Sequence, residues 1–563
     1  MSVAMLAACA SIPTSGPVRA GRELGVDAEA NAPRTFGGPP DNGASPEEIV
    51  QGFLQASPDF VDDHSIARQY LAPRVRQRWN PAAETAIYDR SLGYSVESDG
   101  GTTWQVSATQ VARIDESGRY RRLGPPAALE RSFTVGQIAG QWRITDVPDG
   151  LLMSSANVEF VYRQLNLYFL APTTNVVVPD PVLLPNQPGL PTTLLNRLLQ
   201  GPTPDLQGAV ETAFPRATQL EVRSVPVRDG LATVSFNAAA LQADSGDRDR
   251  MSAQIVWTLK QLREVQRVRI LADGDDLVTS GVAREQPVSE AWVGYDPDIL
   301  APTASFYIVR DGRVGRIINE RFVPVLGLAG APGAGLRLPA VSLDTTRVAA
   351  VSADRTRLLV GRLAAGAVLD SVLTGTDLTA PSYDRGNDLW VVERGTGRLW
   401  LLPADAETPV EVKVPRVGGA GPIAAVRVAR EGTRMALVMG SGNDSRIYVG
   451  AIVRDSTGAV DRVDALHEVL PDMRAVRDIA WTDASTVAVL GRDGDAPEAV
   501  VQTSTDGLSV NDNVEPLAGL SSVAAAPPPL TLVASTLAGQ VQQWTPSLGW
   551  QPLGPGRDPS YPG

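Results

Sequence analysis

The stretch that decides the fold is Val341-Ser342-Leu343-Asp344, followed after a turn by Val-Ala-Ala-Val at 348–351. A short apolar strand ends near an aspartate, the chain turns, and a second apolar strand returns. Ser382-Tyr383-Asp384 precedes Leu-Trp-Val-Val at 389–392 in the same way, and Trp481-Thr482-Asp483 precedes Val-Ala-Val-Leu at 487–490. Residues 426–429 and 435–439 repeat the layout around Arg430-Glu431-Gly432. The units begin roughly 40–53 residues apart, the length of a four-stranded blade, so residues 304–557 read as an all-β propeller.

The last unit, at 530–535, 540–544 and 550–553, resembles the first, at 306–310, 313–318 and 321–326. That opening unit lacks an innermost strand. Five full units and one partial one make six blades, with five and seven as the neighbouring counts, and closing the ring calls for a strand from elsewhere in the chain.

Upstream the texture is mixed. Ser45-Pro46-Glu47-Glu48 offers a capping serine, a proline suited to the first helical position and a glutamate that closes a capping box. Ile49, Val50, Phe53 and Leu54 then share one helical face. A second helix is expected over 62–71, and strands over 103–114, 127–137 and 141–147. Residues 45–150 thus read as a small α+β domain of NTF2-like order. Residues 155–285 read as a second α+β domain. It has a strand at 163–170, a helix at 193–200 stopped by Gly201-Pro202, and a hairpin of 220–227 and 231–236 around Asp229-Gly230. A helix at 251–262 and a strand at 265–272 follow, and residues 286–303, with Pro297 and Pro302, read as a linker.

The single cysteine closes Leu6-Ala7-Ala8-Cys9. Small residues before a cysteine near an N-terminus suit a peptidase that cuts ahead of a lipidated thiol. The stretch resembles a bacterial lipobox, which makes Cys9 the expected lipid anchor and residues 1–9 the remnant of a lipoprotein signal peptide. Such a signal needs positive charge and ~7–15 apolar residues, which Met1 to Ala8 do not supply, so the expectation is a true start further upstream or a trimmed chain. Residues 10–44, broken by Pro13, Gly16, Pro17, Gly37, Gly38, Pro39 and Pro40, read as a flexible tether. A chain of ~35 residues spans roughly 30 Å.

Composition narrows the function. The 563 residues are 43% apolar and 20% charged, enough to bury several cores. Fifty basic against 63 acidic residues leave a charge of −13, which argues against a nucleic acid partner. Two histidines and one cysteine leave little for a zinc site, a disulfide framework or a cysteine dyad, and neither metal nor cofactor is expected. No run of 18 apolar residues could span a membrane as a helix.

Gly440-Ser441-Gly442-Asn443-Asp444 reads as a hairpin turn rather than a nucleophile elbow. Asp273, Asp275 and Asp276, and Asp493 and Asp495, read as solvated turns, since they lack the spacing and closing glutamate of a calcium loop. His64 reads as a solvated or capping residue. Asp344, Asp384 and Asp483 recur at equivalent strand ends, which suits a structural role because a catalytic pair needs only two blades. No catalytic residue is assigned.

This order of lipobox, tether, two α+β domains and propeller resembles the actinobacterial lipoprotein family LpqB along nearly the whole chain. The second domain is similar to the GerMN domain of spore-germination proteins at Leu198-Leu199-Gln200-Gly201-Pro202, 231–237, 258–262 and 268–274. The resemblance implies a non-enzymatic lipoprotein on the extracytoplasmic face of the cell membrane. It also implies a partner, the extracytoplasmic part of a two-component sensor histidine kinase called MtrB, and a role in signalling linked to cell-wall homeostasis and division. The residues themselves point only to an anchored, acidic, multidomain binding protein. Binding of an envelope ligand, such as a muropeptide or glycan, and a propeller hydrolase are the other two readings.

Overall fold

The computed structural model describes residues 36–300, 304–494, 496–529 and 531–563. The first helix, Pro46–Ala56, starts as its sequence dictates: Ser45 Oγ accepts from Glu48 N at 3.3 Å, and the Glu48 carboxylate accepts from Ser45 N at 2.8 Å. Its apolar face packs on a six-stranded sheet. The strands run in the order Gln141–Asp146, Tyr120–Ile138, Thr103–Asp115, Glu84–Tyr88, Leu151–Ser154, and Tyr94–Ser98 also pairs with Thr103–Asp115. Among the described strand pairs of this sheet, that of Glu84–Tyr88 with Leu151–Ser154 is parallel and the others are antiparallel.

Two expectations fail here. The stretch 62–71 is not a helix: Asp62, Asp63 and His64 all lie at positive φ, and only Ala67–Tyr70 forms a 3₁₀ turn before the helix Pro73–Arg78. Aspartate tolerates the left-handed region, and the turn drives His64 inward. The imidazole sits against Phe60 and Trp79, with Nδ1 2.8 Å from the Ser57 carbonyl oxygen, and is 4% exposed. It is a core residue, and burial lowers its pKa. Nor is the expected tether free throughout. From residue 36 it is docked: Gly37 N donates to Gln55 O at 3.2 Å, Tyr70 Oη to Gly38 O at 2.8 Å and Gly43 N to Gln141 Oε1 at 2.9 Å. Tyr70 passes so close to Gly52 that a Cβ there would lie 2.5 Å from the ring.

The second domain joins a hairpin, Tyr162–Leu170 with Val177–Pro185, to a sheet whose central strands, Leu231–Phe236 and Arg267–Ala272, are parallel. The helix Ser245–Leu259 makes the crossover between them. The expected hairpin at 220–236 shrinks to Val227–Arg228 and an isolated bridge from Leu220 to Phe236. Part of the expected linker belongs to this domain: Glu285–Pro287 pairs with Arg267–Ala272, and Ala291, Trp292 and Tyr295 pack on its core.

The remaining described residues form a ring of six four-stranded sheets. Five are consecutive in the chain. In the opening sheet, Tyr307–Arg310 pairs with Arg557–Ser560, so the C-terminal segment supplies the missing innermost strand and closes the ring. The three units also share contacts. Asp205 of the second domain pairs with Arg119, at 3.0 Å, and with Arg121 of the first. Ala171, Val176, Val178, Leu206 and Ala209 bury against Ala451 and Val453 of the fourth blade. Burial of that apolar seam favours the docking of the second domain on the propeller.

Candidate functional site

Antiparallel blades place alternate turns at opposite mouths of the ring. The turns between first and second strands carry Asp344, Arg385, Glu431 and Ala484, and this mouth faces the second domain. Arg385 Nη2 donates to Pro297 O at 3.0 Å, and Arg434 Nη1 to Pro179 O at 3.2 Å. At the neighbouring edge of this mouth Gln164 Nε2 reaches both carboxylate oxygens of Asp506, at 2.9 and 2.8 Å. The Asp298 carboxyl lies here too, where burial, reinforced by Asp483, pushes it up to about 6.

The turns between second and third strands, including Arg355, Arg394 and Leu537, form the opposite mouth. Here a cavity of about 270 Å³ opens into the ring. Seven arginines line it: Arg337, Arg355, Arg394, Arg427, Arg430, Arg477 and Arg557. Among the described residues only two side-chain carboxylates share the lining, Asp478 and Asp558, and both are bound to the scaffold. Asp478 accepts from Val523 N at 3.0 Å and Arg427 Nη2 at 3.1 Å. Asp558 accepts from Leu338 N at 3.2 Å and Arg337 Nε at 3.4 Å. Each carboxylate thus ties one inner strand to its neighbour. Burial pushes the Asp478 carboxyl up, against the pull of Arg427. Arg430 reaches the floor from the far turns and donates to Trp481 O at 3.2 Å and Ala525 O at 2.9 Å. Such a surface can grip an anion by charge and by paired N–H donors.

The residues singled out from the sequence are not gathered at this cavity. Cys9 and Asp495 lie outside the described residues. Asp344 accepts from Ser342 Oγ, Thr346 N and Thr346 Oγ1, and Asp483 from Ser485 N, so both brace turns. Asp384 is buried and accepts from Asp388 N at 2.9 Å and Trp390 Nε1 at 3.4 Å, with Arg454 at 3.4 Å. Residues Gly442–Asp444 form a short 3₁₀ turn between strands. Asp276 pairs with Arg269 through both oxygens. Among the described residues no group of three His, Cys, Asp or Glu side chains is placed to hold a metal, and no helix is long and apolar enough to cross a membrane. No local pattern in the sequence gathers these arginines, because they are spread over five of the six blades. The signal that could have found them is position: Arg337 and Arg557 each stand near the start of an inner strand, and Arg477 in the first half of another.

Comparison with known families and proteins agrees with this architecture. Residues 39–159 match the N-terminal domain of lipoprotein LpqB, residues 312–562 the LpqB β-propeller domain, and residues 166–278 a domain of sporulation and spore germination. Lipoprotein LpqB of Thermobifida fusca is 30% identical, with 99% of this chain and 97% of that one covered. Its namesake in Streptomyces coelicolor is 29% identical over 100% of this chain and 96% of the other. Among solved structures, the first GerMN domain of GerM from Bacillus subtilis matches 23% of this chain and 96% of its own at 21% identity, with a TM-score of 0.18. TolB from Acinetobacter baumannii matches 60% of this chain and 88% of its own at 13% identity and a TM-score of 0.36.

Proposed function

This chain belongs to the LpqB lipoprotein family, and from that premise we propose that it is a non-enzymatic binding protein, lipidated at Cys9 and held on the extracytoplasmic face of the membrane. Its partner is the extracytoplasmic domain of a two-component sensor histidine kinase of the MtrB type, whose signalling on cell-wall homeostasis and division it tunes. The observation that carries this reading is the asymmetry of the propeller: one mouth packs against the second domain, while the other is open and lined with arginine. A rigid face built from loops of several blades is suited to recognition. Tethering both proteins to one membrane raises their effective concentration, so a weak contact suffices. The turn-bracing roles of Asp344 and Asp483 favour binding over hydrolysis. A photocrosslinker placed at Leu537, on the open rim, should capture the kinase in native membranes. Capture only from positions in the first two domains would overturn the propeller contact. A second reading, binding of a muropeptide or glycan, is favoured by the concave lining that all six blades give the same cavity.

A further inference from the structure

We propose that the central cavity of the propeller binds a phosphoryl group, held by arginines that five of the six blades bring together around the ring axis. This goes beyond the accessory-protein reading and does not depend on it. The first argument is charge. A chain with a net charge of −13 gathers seven of its arginines around one cavity of about 270 Å³. Arg557 comes from the opening blade, Arg337 and Arg355 from the second, Arg394 from the third, Arg427 and Arg430 from the fourth and Arg477 from the fifth. The sixth contributes the hydroxyls of Ser521 and Ser522.

The second argument is that structural pairing does not use up this charge. Asp377 meets both Arg355, at 2.9 Å, and Arg394, at 3.5 Å. Glu498 meets Arg477 at 2.9 Å, and Asp478 and Asp558 take one arginine each. Among the described residues, these seven guanidiniums therefore have four side-chain carboxylates within ion-pair distance. Each guanidinium has five N–H donors, of which a carboxylate engages at most two. Arg557 is exposed and has no carboxylate within ion-pair distance among the described residues.

The third argument lies at the floor. Arg430 is 5% exposed, two of its nitrogens are bound to carbonyls, and its buried Nε meets no acceptor among the described residues. A buried charged donor without an acceptor is costly, and an anion oxygen or a water at the floor would satisfy it. Asp298, Asp483 and Glu431 approach Arg430 from the covered mouth, so an anion would meet it from the open side.

Shape selects the anion. Guanidiniums that converge from several directions around an axis suit a tetrahedral oxyanion better than one planar carboxylate, and arginine matches phosphate oxygens in pairs. The cavity is below the ~300 Å³ typical of drug-sized ligands, so it admits a phosphate or a short phosphoester rather than a folded chain. Free phosphate and the phosphoester of an envelope polymer share this chemistry.

The test is calorimetric titration of the full chain with inorganic phosphate and, separately, with glycerol 3-phosphate, at fixed ionic strength. Saturable binding of either is expected, weakening as salt rises. Arg557→Gln and Arg394→Gln should each reduce affinity about tenfold, the loss of one charge-assisted contact. Arg90→Gln, in an exposed loop of the first domain, should change nothing. Binding of glycerol 3-phosphate alone would point to an esterified ligand, and binding of both to the phosphoryl group itself. Absence of saturable heat for both probes up to ~10 mM would overturn the proposal, because so weak a contact falls short of even millimolar binding. So would equal affinity in wild type and in the two variants when their melting temperatures match that of wild type. If either variant melts early, the other decides.

Discussion

Arg434 donates from Nη1 to the main-chain carbonyl of Pro179 at 3.2 Å, joining the fourth blade to the hairpin of the second domain. The same guanidinium holds Glu431 through Nε at 2.7 Å and also reaches the Ala484 carbonyl. Both side chains of the ion pair are nearly inaccessible, at 4% and 0% exposure. Removing the cation alone leaves a buried carboxylate unpaired. Arg434→Met should therefore destabilise the protein by about 3–5 kcal/mol, whereas the double change with Glu431→Leu should recover most of that loss. Chemical denaturation of the three variants checks this, and equal losses in the single and double variants would contradict it.

Asp180 is fully buried and accepts from Thr203 N and Thr203 Oγ1, both at 2.7 Å. Burial, with Asp205 adding to it, pushes its carboxyl up to about 6 despite the opposing pull of Thr203 and Arg434. Between the ordinary value of 3.8 and about 6 the folded protein holds a proton that the unfolded chain has released. The stability carried by that proton is full below the lower value and is lost as pH rises through the upper one. Asparagine keeps the shape, and the Thr203 hydroxyl can turn to accept from its amide. Asp180→Asn should be the more stable form at pH ~7.5, by about 1–3 kcal/mol, and the gap should close at pH ~4. The same difference at both pH values would refute the assignment.

Ring closure rests on a short strand. Tyr307 pairs with Ser560 and Val309 with Arg557, and Asp558 latches the second blade through Leu338 N. Truncation after Pro555 should open the ring and bare the edge of Tyr307–Arg310. Proteolysis of the truncated chain should then cut within 304–555 under conditions that leave the intact chain uncut there. Unchanged resistance would show that the remaining five sheets and the seam hold the ring unaided.

Anchoring is tested at Cys9. In a chain expressed behind a complete lipoprotein leader, Cys9→Ala should move the protein from the membrane to the soluble fraction, because diacylation provides most of the hold. A variant that still pellets after a salt wash would place the anchor elsewhere.

What the sequence determined by itself is what depends on near neighbours. The capping box of Ser45 and Glu48 involves residues three apart, and the helix Pro46–Ala56 follows from it. The aspartate-ended strand pairs of the propeller are equally local, which is why the repeat was legible. What only the tertiary structure decided depends on distant partners. The strand Val177–Pro185 is not legible in the sequence because Pro179, Pro181 and Pro185 argue against a strand. They face Tyr168, Asn166 and Tyr162, alternate positions of the ladder, so their missing N–H groups lie on its open side. Tyr168 and Asn166 in turn have their N–H groups taken by Thr258 and Gln261, from the helix Ser245–Leu259 and the turn after it. Gln254 and Thr258 are buried against the strand Tyr162–Leu170, and Ser252 against Gln286, in a helix whose sequence shows one apolar stripe only. The closing strand Arg557–Ser560 has no apolar alternation and is a strand only because Tyr307–Arg310 offers it an edge. The arginine cavity is decided the same way: Arg337 and Arg557 stand 220 positions apart in the chain, and ring closure alone makes them neighbours across Asp558.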